Sequence, residues 1–233
     1  MIFVAVSMGF IAEQIREHII DRHHEQVYME SMAQDLRDDS VQLQKIADAY
    51  LNRFINSADS TSLLLAGFDP AQPANGLYYH LRLTIRFMTI RVYIRDRTIT
   101  QLKNSGSLRI VENKAVSDSI TDYYNKIDVI RELEDYLYKE KNELRQILPV
   151  LLKGEMYDKV IDGNDRLIHP EGNLFARSIS ESQKSELMLK VSDIKGLTKN
   201  IYGRILVLQE QANRLRRLIL SSYGISANAL PAE

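Results

Sequence analysis

The chain of 233 residues contains no cysteine and no tryptophan. Without cysteine there is no disulfide, no thiolate nucleophile and no cysteine-bound metal. That absence suits the cytoplasm and the periplasm equally. Neither sign of charge is in excess: 30 Lys and Arg face 31 Asp and Glu. A balance this even leaves no overall electrostatic footprint for nucleic acid, and no nucleic-acid partner is expected. No G-x-S-x-G elbow, P-loop, Rossmann fingerprint or zincin motif occurs. Glycine and proline are scarce, at 10 and 5 residues. Their scarcity, with abundant Leu, Ile, Arg, Lys, Glu and Gln, favours long helices.

What is present is a chain of ordinary globular composition, 45% hydrophobic and 26% charged. It is long enough for one large domain or two small ones, and it can bury a core without covalent staples. The hydrophobic period marks four helical segments. The first is expected from about Ile2 to about Asn56, with Met29, Met32, Leu36, Leu43, Ile46, Tyr50 and Phe54 on one face. A continuous helix of that length extends roughly 80 Å. Gly67 to Gly76, GFDPAQPANG, is a turn-rich break.

The stretch YYHLRLTIRFMTIRVYIRDRTITQLKNSG follows. Leu81, Ile85, Met88, Val92, Ile99 and Leu102 fit a heptad stripe, whereas Leu81, Leu83, Ile85 and Phe87 alternate as in a strand. Its length favours helix over strand. A third helix is expected from Asn113, a candidate N-cap, to about Lys153, ended or kinked by Pro149. Residues 154–183 hold turn chemistry: DGND, HPEGN and SISES. In the last helix Leu187, Val191, Ile194, Thr198, Ile201, Ile205, Leu208, Ala212, Leu215 and Ile219 alternate by four and three. That is a coiled-coil-like seam. The pattern predicts an all-α fold: an elongated antiparallel helical bundle with a long N-terminal helix. The expected division is an N-terminal apolar anchor or truncated transmembrane helix at 1–20, a helical bundle domain at 21–222 and a flexible tail at 223–233.

The opening MIFVAVSMGFIA raises a question of location. Its twelve residues make roughly 18 Å of helix. A bilayer core of roughly 30 Å needs about 20 apolar residues, so this segment does not span alone. It has no basic n-region and no Ala-x-Ala site, which argues against a signal peptide. Three readings stand: a span completed by residues upstream of Met1, an interfacial or self-associating segment, or the end of a core helix. Ile2, Phe3, Val4, Val6, Phe10 and Ile11 are its candidate anchor residues. The segment is apolar all round, and such a helix needs cover on every side.

Other constellations are weaker. His23, His24 and Glu25 spread around a helix axis, whereas metal ligands from one helix sit three or four apart. No Glu-x-x-His pair of the di-metal bundles occurs, and no metal or cofactor is expected. His169 lies in a polar loop with Glu155, Asp158, Asp162 and Asp165, without the spacing of a catalytic set. On a continuous helix Arg82 and Arg86 share one face, and Arg91 and Arg95 the opposite one. These four are candidate contacts for an anion or an acidic partner, or they pair with acids of neighbouring helices.

The stretch Thr98–Asp128, TITQLKNSGSLRIVENKAVSDSITDYYNKID, resembles an uncharacterised family of bacterial membrane-anchored helical proteins, classed as a domain of unknown function. In that family a Gln-Leu-Lys-x-Ser-Gly, a short apolar pair, Asn-Lys and a paired Tyr-Tyr recur. VYMESMAQDLRDD (Val27–Asp39) sits where the family carries a similar segment. The resemblance implies an N-terminal transmembrane helix in the bacterial inner membrane, with the folded part in the periplasm. A cytoplasmic location is the alternative. This chain departs in lacking most of the span and the basic residues before it. Gly106 reads independently as a structural turn, able to take positive φ between two helices. The function expected is a membrane-anchored helical interaction or scaffold protein without catalysis, with a protein partner or a second copy of the chain. The alternative is a sensory or ligand-binding bundle that recognises an anion or small molecule.

Overall fold

In the computed structural model, residues 2–48, 52–86, 91–104, 106–164 and 166–226 are described; of residues 2, 4, 5 and 107 only the backbone is. The chain is an all-α helical bundle of seven helices among these residues: α1 (Ile2–Ile46), α2 (Asn52–Ala66), α3 (Asn75–Ile85), α4 (Arg97–Asn104), α5 (Lys114–Ile147), α6 (Gly154–Tyr157) and α7 (Glu181–Tyr223). The described residues hold no strand, only an isolated bridge between Ile161 and Leu167.

The long helices start and stop where the sequence chemistry directs. In α7, Ser180 and Gln183 form a reciprocal cap. The Ser180 hydroxyl accepts the Gln183 N–H, and the Gln183 side chain accepts the Ser180 N–H. Gly224, at φ 63°, ends it in the left-handed region. All ten residues of its four-three pattern are buried. At Thr198 the hydroxyl is satisfied by the Ile194 carbonyl of the preceding turn, 2.7 Å away. Asn113 caps α5 by accepting the Val116 N–H at 3.2 Å. Pro149 stands in the 3-10 turn Leu148–Val150 that replaces the continuation of α5.

Compactness divides the chain into two units. The first comprises residues 1–43, 93–127 and 207–233. Its core holds Met29, Met32 and Leu36 of α1, Tyr123 of α5, and Leu208 and Leu215 of α7. The second comprises residues 44–92 and 128–206. Here α2 lies against α3, and the polar residues between them are satisfied by helix carbonyls. Thr61 donates to Ser57 O, while Ser57 and Thr84 both donate to His80 O, at 2.8–2.9 Å. Apolar cover comes from Phe54, Leu81, Leu144 and Val191.

Two sequence expectations need correction. The first α-helix, expected to about Asn56, ends at Ile46 in a π-helical turn at residues 47–48; α2 begins at Asn52, and residues 49–51, Tyr50 among them, lie outside the described residues. Residues 78–106 are not one helix either. Arg86 turns extended (φ −54°, ψ 133°), residues 91–96 are non-helical, and α4 occupies Arg97–Asn104 alone. The reason is competition for the backbone N–H groups. A buried Glu134 carboxyl of α5 accepts the Val92 N–H at 2.8 Å in the second unit. In the first unit Asp39 of α1 accepts the Arg95 N–H at 2.7 Å. Acceptors supplied from far along the chain replace the helical carbonyls. Phe87 and Met88 lie outside the described residues.

Candidate functional site

The apolar opening of α1 meets almost nothing. Every described side chain from residue 3 to residue 24 is exposed, except the half-exposed Ser7. Phe3 is 82% exposed and Phe10 69%, with Val6, Met8, Ile11, Ile15 and Ile19 all more than half exposed. Burial begins at Glu25, whose carboxyl accepts the Glu112 N–H and the Tyr223 hydroxyl. The side chains of Ile2 and Val4, two of the candidate anchors, lie outside the described set. No helix among the described residues is long and apolar enough to cross a membrane, so the expected transmembrane helix is not found there. Of the three readings of this segment, the end of a core helix is overturned by its exposure.

The arginines do not share one helix. Arg82 belongs to α3, Arg86 stands immediately after it, and Arg91 and Arg95 lie on the non-helical stretch. Arg82 pairs with Asp158 at 3.5 Å, Arg91 with Asp135 at 2.9 Å, and Arg95 with Asp38 at 3.2 Å. Arg82 also donates to the Tyr157 carbonyl at 3.2 Å, and its guanidinium carbon sits 4.0 Å over the Tyr157 ring.

Arg82 opens onto a cavity of about 340 Å³ in the second unit. Arg145 from the last turn of α5 and Arg177 from the irregular stretch before α7 line it as well. Leu148, Pro149 and Leu152 supply an apolar floor, and Tyr157 of α6 completes the wall. The assembly is held by specific bonds. Arg177 N–H donates to Leu151 O at 2.8 Å. The Tyr78 hydroxyl accepts the Lys153 N–H at 2.9 Å and donates to Phe175 O at 3.3 Å. The Asn75 side chain bonds both Gly172 O and the Leu174 N–H. Among the described residues every charged lining group is a guanidinium. The Tyr157 hydroxyl is buried without a hydrogen-bond partner among the described residues. Burial pushes its pKa up, more than Arg82 and Arg145 draw it down, so it stays protonated and able to donate.

A second cavity, of about 440 Å³, lies in the first unit between α5 and α7. Its charges cancel locally: Lys126 pairs with Asp122 at 2.8 Å, and Arg214 pairs with Glu210. The remaining sequence candidates are dispersed. His23 and His24 are exposed on α1, and no group of three metal-ligating side chains gathers among the described residues. The His169 ring stacks on Tyr79 at 4.2 Å. Asp162 accepts the Asn164 and Arg166 N–H groups of its own turn, and Asp165 lies outside the described residues. Gly106 adopts φ 67° between α4 and the 3-10 turn Ser107–Ile110.

Sequence reasoning missed Arg145, Arg177 and Tyr157. They come from three separate stretches and form no local motif. Comparison with protein-family models, with curated proteins and with solved structures found no match in any of the three.

Proposed function

We propose that this chain is a membrane-anchored helical interaction or scaffold module. The observation that supports this most strongly is the run of exposed apolar side chains on the first five turns of α1. Apolar surface gathered in one place marks a lipid or protein contact. Each of these side chains gains roughly 1.5–3 kcal/mol when removed from water. An apolar helix too short to span is suited to the interface, or to sharing a span with further apolar residues. The reading places the anchor in a bacterial inner membrane and the folded part in the periplasm, as the family resemblance implies. The helical bundle then serves as a surface for a protein partner or a second copy, and no chemistry is assigned to it.

Fractionation of cells expressing the full chain tests this. Retention in the membrane after carbonate washing, with cleavage by protease added to spheroplasts, is the expected result. Complete release by carbonate, or a protein that external protease never reaches, contradicts it.

A further inference from the structure

We propose that the arginine-lined cavity of the second unit is a binding site for a small amphiphilic anion, a phosphomonoester or carboxylate carried on an apolar body. The inference is separate from the apolar opening of α1 and does not depend on it.

Three features converge. First, Arg82, Arg145 and Arg177 come from three different elements yet line one space, and among the described residues no carboxylate lines it with them. Like charges gathered without a lining counter-charge favour an anion over a cation or a neutral guest. The contrast with the second cavity is direct, since there each lining cation has its acid within the lining. Asp158 does not line the arginine cavity; it meets Arg82 from outside at 3.5 Å and is itself 86% exposed. Second, the Tyr157 hydroxyl is buried and its O–H finds no acceptor among the described residues, the Arg82 guanidinium beside it being a donor only. A buried O–H left unmet costs free energy that an oxyanion acceptor restores. The charge-assisted bond it forms is stronger than a neutral one. Third, the floor is apolar. Leu148, Pro149 and Leu152 offer nothing to a bare inorganic ion but remove an apolar group from water. A volume of about 340 Å³ falls at the small end of ligand pockets.

The geometry assigns roles. The planar fork of Arg177 suits the paired oxygens of a phosphoryl or carboxylate group, and Arg145 adds positive charge to the same lining. Tyr157 donates a further hydrogen bond to the same head. Arg82, stacked on the Tyr157 ring and bonded to the Tyr157 carbonyl, is a positioning residue that fixes the tyrosine. The apolar body lies on the leucines and the proline.

Calorimetric titration of phenyl phosphate into the full chain, at fixed ionic strength, tests the proposal. Saturable binding below millimolar is expected. Tyr157→Phe and Arg177→Gln should each weaken it about tenfold, the scale of one charge-assisted hydrogen bond. Neither change removes packing: one deletes a single hydroxyl, and the other lies on an exposed, non-helical residue. Arg214→Gln, in the other cavity, should leave the affinity unchanged. Dihexanoyl phosphatidic acid, run in parallel, separates the two sources. Tighter binding than phenyl phosphate assigns the head group to a lipid, and weaker binding assigns it to a soluble anion; either ranking keeps the site. No saturation by phenyl phosphate, benzoate or the short-chain lipid overturns the proposal. So does binding indifferent to both Tyr157→Phe and Arg177→Gln. Inorganic phosphate binding as tightly as phenyl phosphate overturns the apolar half of it.

Discussion

The carboxyl group of Asp39 on α1 accepts the backbone N–H of Arg95 at 2.7 Å, across 56 residues of sequence. Its second oxygen accepts the Tyr123 hydroxyl at 2.9 Å. One buried acid therefore joins α1, the non-helical stretch and α5 within the first unit. The adjacent Asp38 holds the Arg95 guanidinium at 3.2 Å. One turn earlier, Asp35 accepts the Thr98 hydroxyl. The polar residues of α1 thus fasten the chain where it leaves helical geometry.

Replacement of Asp39 separates acceptor from charge. Asp39→Asn keeps an oxygen for the Arg95 N–H, and the Tyr123 hydroxyl can turn to accept from the new amide. Asp39→Ala leaves both groups buried and unmet. At pH 8 the Asn variant should be more stable than the Ala variant by about 2–6 kcal/mol, from two unsatisfied groups at about 1–3 kcal/mol each. Urea denaturation of both proteins measures the difference. Equal midpoints contradict the role given to the two hydrogen bonds.

The pH dependence follows from the same burial. Desolvation raises the Asp39 pKa from 3.8 to about 6, outweighing its two hydrogen bonds. Between about 4 and 6 the folded chain holds a proton that the unfolded chain has lost, so raising pH through that window lowers stability. The full loss is about 3 kcal/mol for this group. Glu134, raised by burial to about 7, acts in the same direction over a window that extends to that value. Stability measured from pH 4 to pH 7 should show Asp39→Asn gaining on the unsubstituted chain as pH rises, with the gain complete near pH 7. A constant difference across the range contradicts a raised pKa at Asp39.

Lys141 of α5 is buried in the second unit, with its ammonium 4.5 Å from the centre of the Phe54 ring. Desolvation lowers its pKa to about 8. Here the sign reverses: stability rises with pH between about 8 and 10.5, because the unfolded chain holds the extra proton. At neutral pH the buried charge costs about 3 kcal/mol, partly offset by its contact with the ring. Lys141→Met, similar in length and apolar, should raise the thermal midpoint at pH 7 and remove the rise above pH 8. A lowered midpoint contradicts an uncompensated ammonium at this position.

Gly106 has φ 67°, yet a Cβ built there meets nothing within 4 Å. Space is therefore not what selects glycine; backbone conformation is. Gly106→Ala should cost about 1–2 kcal/mol, the penalty of a left-handed backbone for an L side chain. Gly106→Asn should recover part of that loss, since Asn tolerates this region. Chemical denaturation of the pair checks the order. A tolerated alanine contradicts the left-handed turn.

Much of the bundle was legible in local chemistry. The ten-residue seam of α7, the Asn113 cap and the Pro149 stop each depend on neighbours within a few residues, and all three stand in the structure. The stretch from Arg86 to Asp96 was not legible. Two of its described amides, those of Val92 and Arg95, are held by Glu134 and Asp39, acceptors 42 and 56 residues distant. A heptad count carries no information about such partners. The arginine cavity was hidden for the same reason. Only Arg82 stood among the sequence candidates, because Arg145, Tyr157 and Arg177 acquire meaning when the Tyr78 and Leu151 hydrogen bonds bring their segments together.

The central claim is that the exposed opening of α1 seats in lipid. Flotation of the purified full chain with vesicles of phosphatidylcholine and phosphatidylglycerol tests it most directly, beside a variant carrying Phe3→Asp, Phe10→Asp and Ile11→Asp. All three positions are exposed, so the folded units keep their cores. The account predicts that the unsubstituted chain rises with the vesicles and the triple variant stays at the bottom of the gradient. An unsubstituted chain that stays at the bottom, or a triple variant that floats equally well, contradicts it.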